Sequence, residues 1–234
     1  MKVKEHCGIV GVYADNSPMI SYESLKLLQH RGQESAGITY RKDGSLVTMK
    51  GLGLVEEALD PRLLPNAKLS IGHVRYSTTG KGSLDEAQPL SNGKIAIAFN
   101  GTITNYFKFG TSTDTEFILK VLSEAPNIKE GIRRLVDLAD GAYSLVVLTN
   151  DGELIGFRDP KGFRPLVLGK INNGYIIASE DSVIRQLGGK PLRDVKPGEM
   201  IYIKDGEIES EVISRDRVSF CSFEYIYFAR PDSI

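Results

Sequence analysis

Short apolar runs separated by turn residues recur along most of the chain. Cys7–Ala14, Ser35–Arg41, Leu46–Lys50, Lys68–Ser77 and Lys94–Ile103 read as strands. So do Ala142–Thr149, Glu153–Arg158, Leu166–Lys170, Tyr175–Ser179 and Met200–Ile203. The dipeptides Asp43-Gly44, Asp151-Gly152, Asn173-Gly174 and Asp205-Gly206 fall between these runs and predict hairpin turns. Helical spacing is clearest over Asp114–Glu124, with Phe117, Ile118, Val121 and Leu122 on one face. It recurs over Asn127–Asp140, through Ile128, Ile132, Leu135, Val136 and Leu138. Thr113 and Asp114 suit the start of the first helix and Asn127 the start of the second. A further helix is expected over Ile20–Leu28 and a short one over Val183–Leu187.

Many strands in hairpin order, with helices between them, predict an α+β fold of largely antiparallel sheets. Two such sheets can pack face to face with helices outside. No repeat and no linker interrupts the pattern before about residue 214. Beyond it Phe220, Phe223, Tyr225, Tyr227 and Phe228 crowd into one run, which reads as a contact surface for another domain or subunit.

Composition narrows the classes. With 41% hydrophobic and 25% charged residues over 234 positions, the chain can bury a sizeable core. A formal net charge of -1 gives no pull toward nucleic acid or a lipid surface. No apolar run is long enough to span a membrane, and the opening MKVKEH lacks the apolar core of a secretory signal. Two cysteines are not a disulfide framework, so a cytoplasmic setting is expected. Three histidines and no paired cysteines argue against zinc.

Cys7 is where chemistry enters. Its bland reading is a small buried apolar residue. Its setting is unusual, because Cys7-Gly8-Ile9-Val10-Gly11 opens a strand after only six residues. Gly8 and Gly11 there leave room beside the sulfur and for a close backbone. A cysteine nucleophile needs a base. Loss of residues 1–6 by attack of the thiol on the His6 carbonyl would supply one. The new α-amino group, with a pKa of roughly 7.7–8.0, can take the thiol proton.

That opening resembles the class II, N-terminal-nucleophile glutamine amidotransferases, and further blocks in the same order carry the resemblance. They are His30-Arg31-Gly32-Gln33-Glu34-Ser35-Ala36-Gly37, Gly72-His73-Val74-Arg75-Tyr76-Ser77-Thr78, Phe99-Asn100-Gly101-Thr102-Ile103 and Ser112-Thr113-Asp114-Thr115-Glu116. Arg158-Asp159-Pro160-Lys161-Gly162-Phe163-Arg164-Pro165 and the stretch from Cys221 to Ser233 are similar to the amidophosphoribosyltransferases in particular.

The resemblance implies a four-layer αββα sandwich. Residues 1–6 would be a propeptide, 7–213 the amidotransferase domain, and 214–234 a linker toward a phosphoribosyltransferase domain or subunit. It implies glutamine hydrolysis through a Cys7 thioester, with Asn100 and Gly101 holding the oxyanion. Arg75 would take the glutamine α-carboxylate and Asp114 its α-ammonium group, with Tyr76 and Thr78 lining the pocket. His30 and His73 read as structural. The ammonia would serve phosphoribosylamine formation in purine synthesis, in a homo-oligomer. The expected substrate is glutamine, with no metal and no cofactor in this chain. Magnesium belongs to the phosphoribosyl diphosphate half, and an iron–sulfur cluster cannot be built on Cys221 alone.

Two departures from the family pattern matter. Asn105 and Asp114 are close in sequence where the family has a longer insert, and no phosphoribosyl-diphosphate-binding motif is present. A fragment, a subunit for another acceptor and a non-catalytic homologue with a binding role therefore all remain open.

Overall fold

The computed structural model describes residues 7–76 and 83–214, together with 229, 230, 232 and 233. The predicted leader, Thr78, Cys221 and most of the predicted linker lie outside the described residues.

The chain runs β1 (Gly8–Tyr13), α1 (Ser17–Leu27), β2 (Ser35–Lys42), β3 (Ser45–Leu52), α2 (Val55–Ala58), β4 (Leu69–Arg75), β5 (Leu90–Ser91) and β6 (Ile95–Ile103). It continues through α3 (Asp114–Ser123), α4 (Ile128–Leu138), β7 (Gly141–Thr149), β8 (Leu154–Arg158), β9 (Val167–Ile171) and β10 (Gly174–Ala178). The last elements are α5 (Asp181–Gln186), β11 (Lys190–Asp194), β12 (Glu199–Lys204) and β13 (Glu207–Val212). Seven strands form one sheet in the order β11-β9-β10-β1-β4-β2-β3, and six form a second in the order β13-β12-β8-β7-β6-β5. Every strand pair is antiparallel.

Alternation along β1 shows how the layers arise. Ile9 faces the second sheet, in a core with Ile71, Ala98, Val146 and Ile177. Val10 and Val12 face the other way, onto Tyr22 and Leu25 of α1. On the second sheet, Ala96 and Ala98 look toward the first sheet, while Ile97 and Phe99 pack on Phe117 and Ile118 of α3. Both sheets are thus covered on both faces, which is why their strands read as continuous apolar runs. The result is the expected α+β sandwich of four layers.

The helix starts follow local chemistry. Thr113 is the N-cap of α3 and its side chain accepts from the Glu116 N–H, with Asp114 one place inside. Asn127 caps α4 through the Glu130 N–H. The helices α1 and α5 differ modestly from the expected Ile20–Leu28 and Val183–Leu187. α1 begins at Ser17, because Pro18 suits a first turn, and α5 at Asp181.

One turn is displaced. β9 and β10 turn on Asn172, which takes a left-handed φ of 49°, and Gly174 is already in the strand. A side chain at Gly174 would run into the Tyr13 carbonyl oxygen, so glycine there serves strand packing. The strands β11 and β13 were not expected. Both are sheet edges, and their sequences KPLRD and EIESEV carry charge and a proline in place of an apolar face.

Candidate active site

Cys7 stands at the head of β1, the central strand of its sheet, and is 7% exposed. It takes no part in a disulfide. Its backbone nitrogen donates to Asn100 Oδ1 at 3.4 Å, which joins the two sheets at this end of the sandwich. Two residues on, the Ile9 N–H donates to Ser179 Oγ at 3.0 Å and fixes the strand from the other side. The side of Gly8 is filled by Val74 and Leu28, so the glycine admits the neighbouring strand and α1.

Asn100 is fully buried in β6. Its oxygen faces a nitrogen donor, which sets the orientation of the carboxamide. Its Nδ2 is buried and lacks a hydrogen-bond partner among the described residues. Leaving a buried donor unmet costs about 1–3 kcal/mol, so such atoms ask for an explanation. Gly101 follows with φ of 150°, and a side chain there would strike the Ala142 carbonyl oxygen.

Cys7 and Gly101 border a pocket of about 200 Å³. Cys7, Arg75, Tyr76, Gly101 and Asp114 all line it, so five of the residues singled out from the sequence meet in one place. Asn100 is bonded to Cys7 but is not itself in the lining. Thr78 is outside the described residues. Arg75 closes β4, and its carbonyl accepts from the Glu34 N–H at 3.0 Å. Gly32 lets that turn press against the Arg75 backbone. The Arg75 guanidinium lies 2.8 Å from Glu86 Oε2 through Nη1, and 4.0 Å from Glu34 Oε2 through Nε. Asp114 accepts from the Ile103 N–H at 3.3 Å, which holds the start of α3 against the end of β6.

A second charged group meets the backbone of Cys7. Arg31 donates through Nε to the Cys7 carbonyl at 3.2 Å and through Nη1 to Glu180 Oε1 at 2.7 Å. His30 Nε2 reaches the same oxygen at 2.8 Å. Glu180 Oε2 accepts from Ser182 Oγ and from the Arg230 N–H, both at 3.3 Å. Burial alone would raise the pKa of Glu180, but the His30 hydrogen bond and the Arg31 charge outweigh it and hold it at about 2. His73 is different. It is fully buried, and burial pushes its pKa down to about 3, so the ring is neutral at ordinary pH. Its Nε2 is 3.1 Å from the Phe99 carbonyl, which can only accept, so the proton sits on Nε2. Both histidines are tied into the scaffold.

Sequence reasoning missed Gln88. It is 7% exposed, accepts from the Phe99 N–H at 2.9 Å and donates to Thr115 Oγ1 at 3.3 Å, bridging β6 to α3 at the pocket wall. It also missed Glu86 and Glu180. The Arg158-Asp159 block, which contributed to the resemblance, builds a corner and not the pocket. Asp159 accepts from the backbone N–H groups of Tyr143, Lys161, Gly162 and Phe163, and Arg158 donates to the Val195 and Gly162 carbonyls. Among the described residues, no group of three or more His, Cys, Asp or Glu is placed to hold a metal ion. No described helix is long and apolar enough to cross a membrane.

Comparison with known proteins agrees with this geometry. A glutamine amidotransferase domain model matches residues 73–186. The amidophosphoribosyltransferase of Pyrococcus horikoshii is 46% identical over 99% of this chain. The chain is a glutamine amidotransferase domain of the amidophosphoribosyltransferase type. A solved allosteric regulatory enzyme of purine biosynthesis superposes with a TM-score of 0.91 at 37% identity, covering 97% of this chain and 54% of that one. Glutamine phosphoribosylpyrophosphate amidotransferase from B. subtilis, solved with ADP and GMP, gives 0.88 at 36% identity, over 97% of this chain and 54% of that one. The domain spans about half the length of the relatives it matches, 55% in the Pyrococcus protein. The alignment to that protein runs over 253 positions against a chain of 234, so the relative carries residues in this span that the domain lacks.

Proposed function

We propose that this domain hydrolyses glutamine to glutamate and ammonia, with Cys7 as the nucleophile. The observation that carries the reading is the Asn100 carboxamide. It is anchored to the Cys7 nitrogen by its oxygen and leaves a buried N–H₂ unmet beside the pocket, next to Gly101. An oxyanion formed by attack of Sγ is the acceptor such a donor suits.

The steps follow from that arrangement. Cleavage between His6 and Cys7 turns the Cys7 nitrogen from an amide into an amine. The amine takes the thiol proton, and the thiolate attacks the side-chain carbonyl of glutamine. Asn100 Nδ2 and the Gly101 N–H stabilise the oxyanion. Collapse breaks the C–N bond, and the α-ammonium passes its proton to the departing ammonia. Water, deprotonated by the same amine, then cleaves the thioester and releases glutamate. Arg75 would hold the α-carboxylate in two parallel hydrogen bonds. Asp114 would pair with the α-ammonium group, and Tyr76 and Thr78 would contribute to the pocket.

In a longer protein the ammonia would pass to a phosphoribosyltransferase domain or subunit for purine synthesis, in a homo-oligomer. Any magnesium would belong to that half. A reactive Cys7 thiol suits the reducing cytoplasm. The test is the intact mass after treatment with diazo-oxo-norleucine, a glutamine-like electrophile. The expected species lacks residues 1–6 and carries one adduct on Cys7. An uncleaved, unlabelled chain overturns the proposal and leaves a non-catalytic homologue.

A further inference from the structure

The clamp for the substrate carboxylate already has a carboxylate from its own chain. Glu86 Oε2 lies 2.8 Å from Arg75 Nη1, and both residues line the pocket. The contact is an ion pair by distance but not a well-formed hydrogen bond. Nη1 is buried and lacks a hydrogen-bond partner by angle among the described residues. One oxygen on one nitrogen is the weak form of an arginine–carboxylate pair. A free carboxylate can instead meet the guanidinium with both oxygens. Glu86 ends the short turn Leu84–Glu86, and its side chain is 49% exposed, so it can swing into water at little cost.

The charges around the pocket point the same way. Asp85, Glu86, Asp114 and Glu116 line it against the guanidinium of Arg75. A carboxylate that meets the Arg75 guanidinium through Nη1 must displace Glu86, and it fits this acidic lining better if its carrier brings a positive group of its own.

We propose that Glu86 determines specificity by competing with the substrate carboxylate for Arg75, so that the pocket selects free amino-acid zwitterions. This rests on the glutaminase reading given above. A ligand that must displace an internal competitor binds with an apparent affinity lowered by the fraction of time the clamp is occupied. An exposed ion pair of this kind is worth up to about one unit of kcal/mol, which corresponds to roughly a two- to fivefold effect on Kd.

The experiment is calorimetric titration of L-glutamine into the chain produced from residue 7 onward with Cys7→Ala, which supplies the cleaved N-terminus without the thiol and prevents turnover. The same titration is run with Glu86→Gln added, and separately with Asp85→Asn added. Glu86→Gln should tighten binding about two- to fivefold, and Asp85→Asn should change it clearly less. Unchanged or weaker binding by Glu86→Gln overturns the proposal. So does equal tightening by Asp85→Asn, because that is a general charge effect. If the Cys7→Ala chain binds no glutamine, the glutaminase reading fails first and this inference falls with it.

Discussion

Two arginines flank Cys7, and both face carboxylates. Arg31 and Glu180 are sealed, with side chains 0% and 1% exposed, and Glu180 accepts from three further residues. Arg75 is 21% exposed, and its nearer partner Glu86 is 49% exposed. The Arg75 Nη1 and both Glu34 oxygens lack hydrogen-bond partners among the described residues. The lesson is that the state of the hydrogen bonds, and not the residue types, separates a scaffold pair from a binding group. A satisfied buried pair has nothing to offer a ligand. An unsatisfied pair at a pocket does.

The largest expected effect breaks the sealed pair. Glu180→Gln leaves the Arg31 charge buried without its counter-ion and should cost about 3–5 kcal/mol of folding stability, read from urea unfolding midpoints. A loss under about 1 kcal/mol would show that the pair is not the scaffold element described.

Next comes the proposed oxyanion donor. Asn100→Ala should lower the rate of glutamine hydrolysis by about a hundred- to a thousandfold, with a much smaller change in KM. Equal rates in the two proteins would remove Asn100 from the chemistry.

Acid provides a third test. Folding holds Glu180 below its ordinary value of 4.5, so the unfolded chain takes up a proton that the folded chain refuses. The stabilisation is fully present above about pH 4.5, falls as pH drops, and is gone near pH 2. Its size is about 3 kcal/mol. Unfolding measured across that window should show the loss in the wild type and a flatter curve in Glu180→Gln.

The smallest effect on stability falls on the open pair. Arg75→Met should change stability by no more than about 0.5 kcal/mol. It should weaken glutamine binding by about ten- to a hundredfold, because charged hydrogen bonds are lost. Calorimetry and thermal unfolding of the same variant check both halves.

The sequence carried the inner strands well. β1, β6 and β7 are buried on both faces, so burial wrote itself into unbroken apolar runs. It carried β11 and β13 poorly, because an edge strand is held by backbone hydrogen bonds that leave little trace in side-chain pattern. The site divides in the same way. Cys7, Arg75, Asn100, Gly101 and Asp114 stand in short blocks that resemble a family, and the structure gathers them at one end of the sandwich. Glu180 has no such block. It meets His30 across 150 positions of sequence and Arg31 across 149, and no local pattern announces so distant a contact. Glu86 was hidden for another reason. An exposed acid after a loop is ordinary until its distance to Arg75 is known.

The position of β1 bears on the order in which the protein is made. It is the fourth of seven strands in its sheet, and it pairs with β4 and β10. Val10 lies opposite Ala178, and Ile9 bonds to Ser179 across 170 positions. Contacts this distant form late, since the entropy of closing so long a loop must be met before the strand gains anything. At about 5–20 residues per second, a growing chain carries its cysteine for many seconds before β10 emerges. During that time the partners that hold Cys7 against Asn100 and Arg31 are not assembled around it. The thiol of Cys7 is thus synthesised well before the strands that seat it beside Asn100 and Arg31 have all formed.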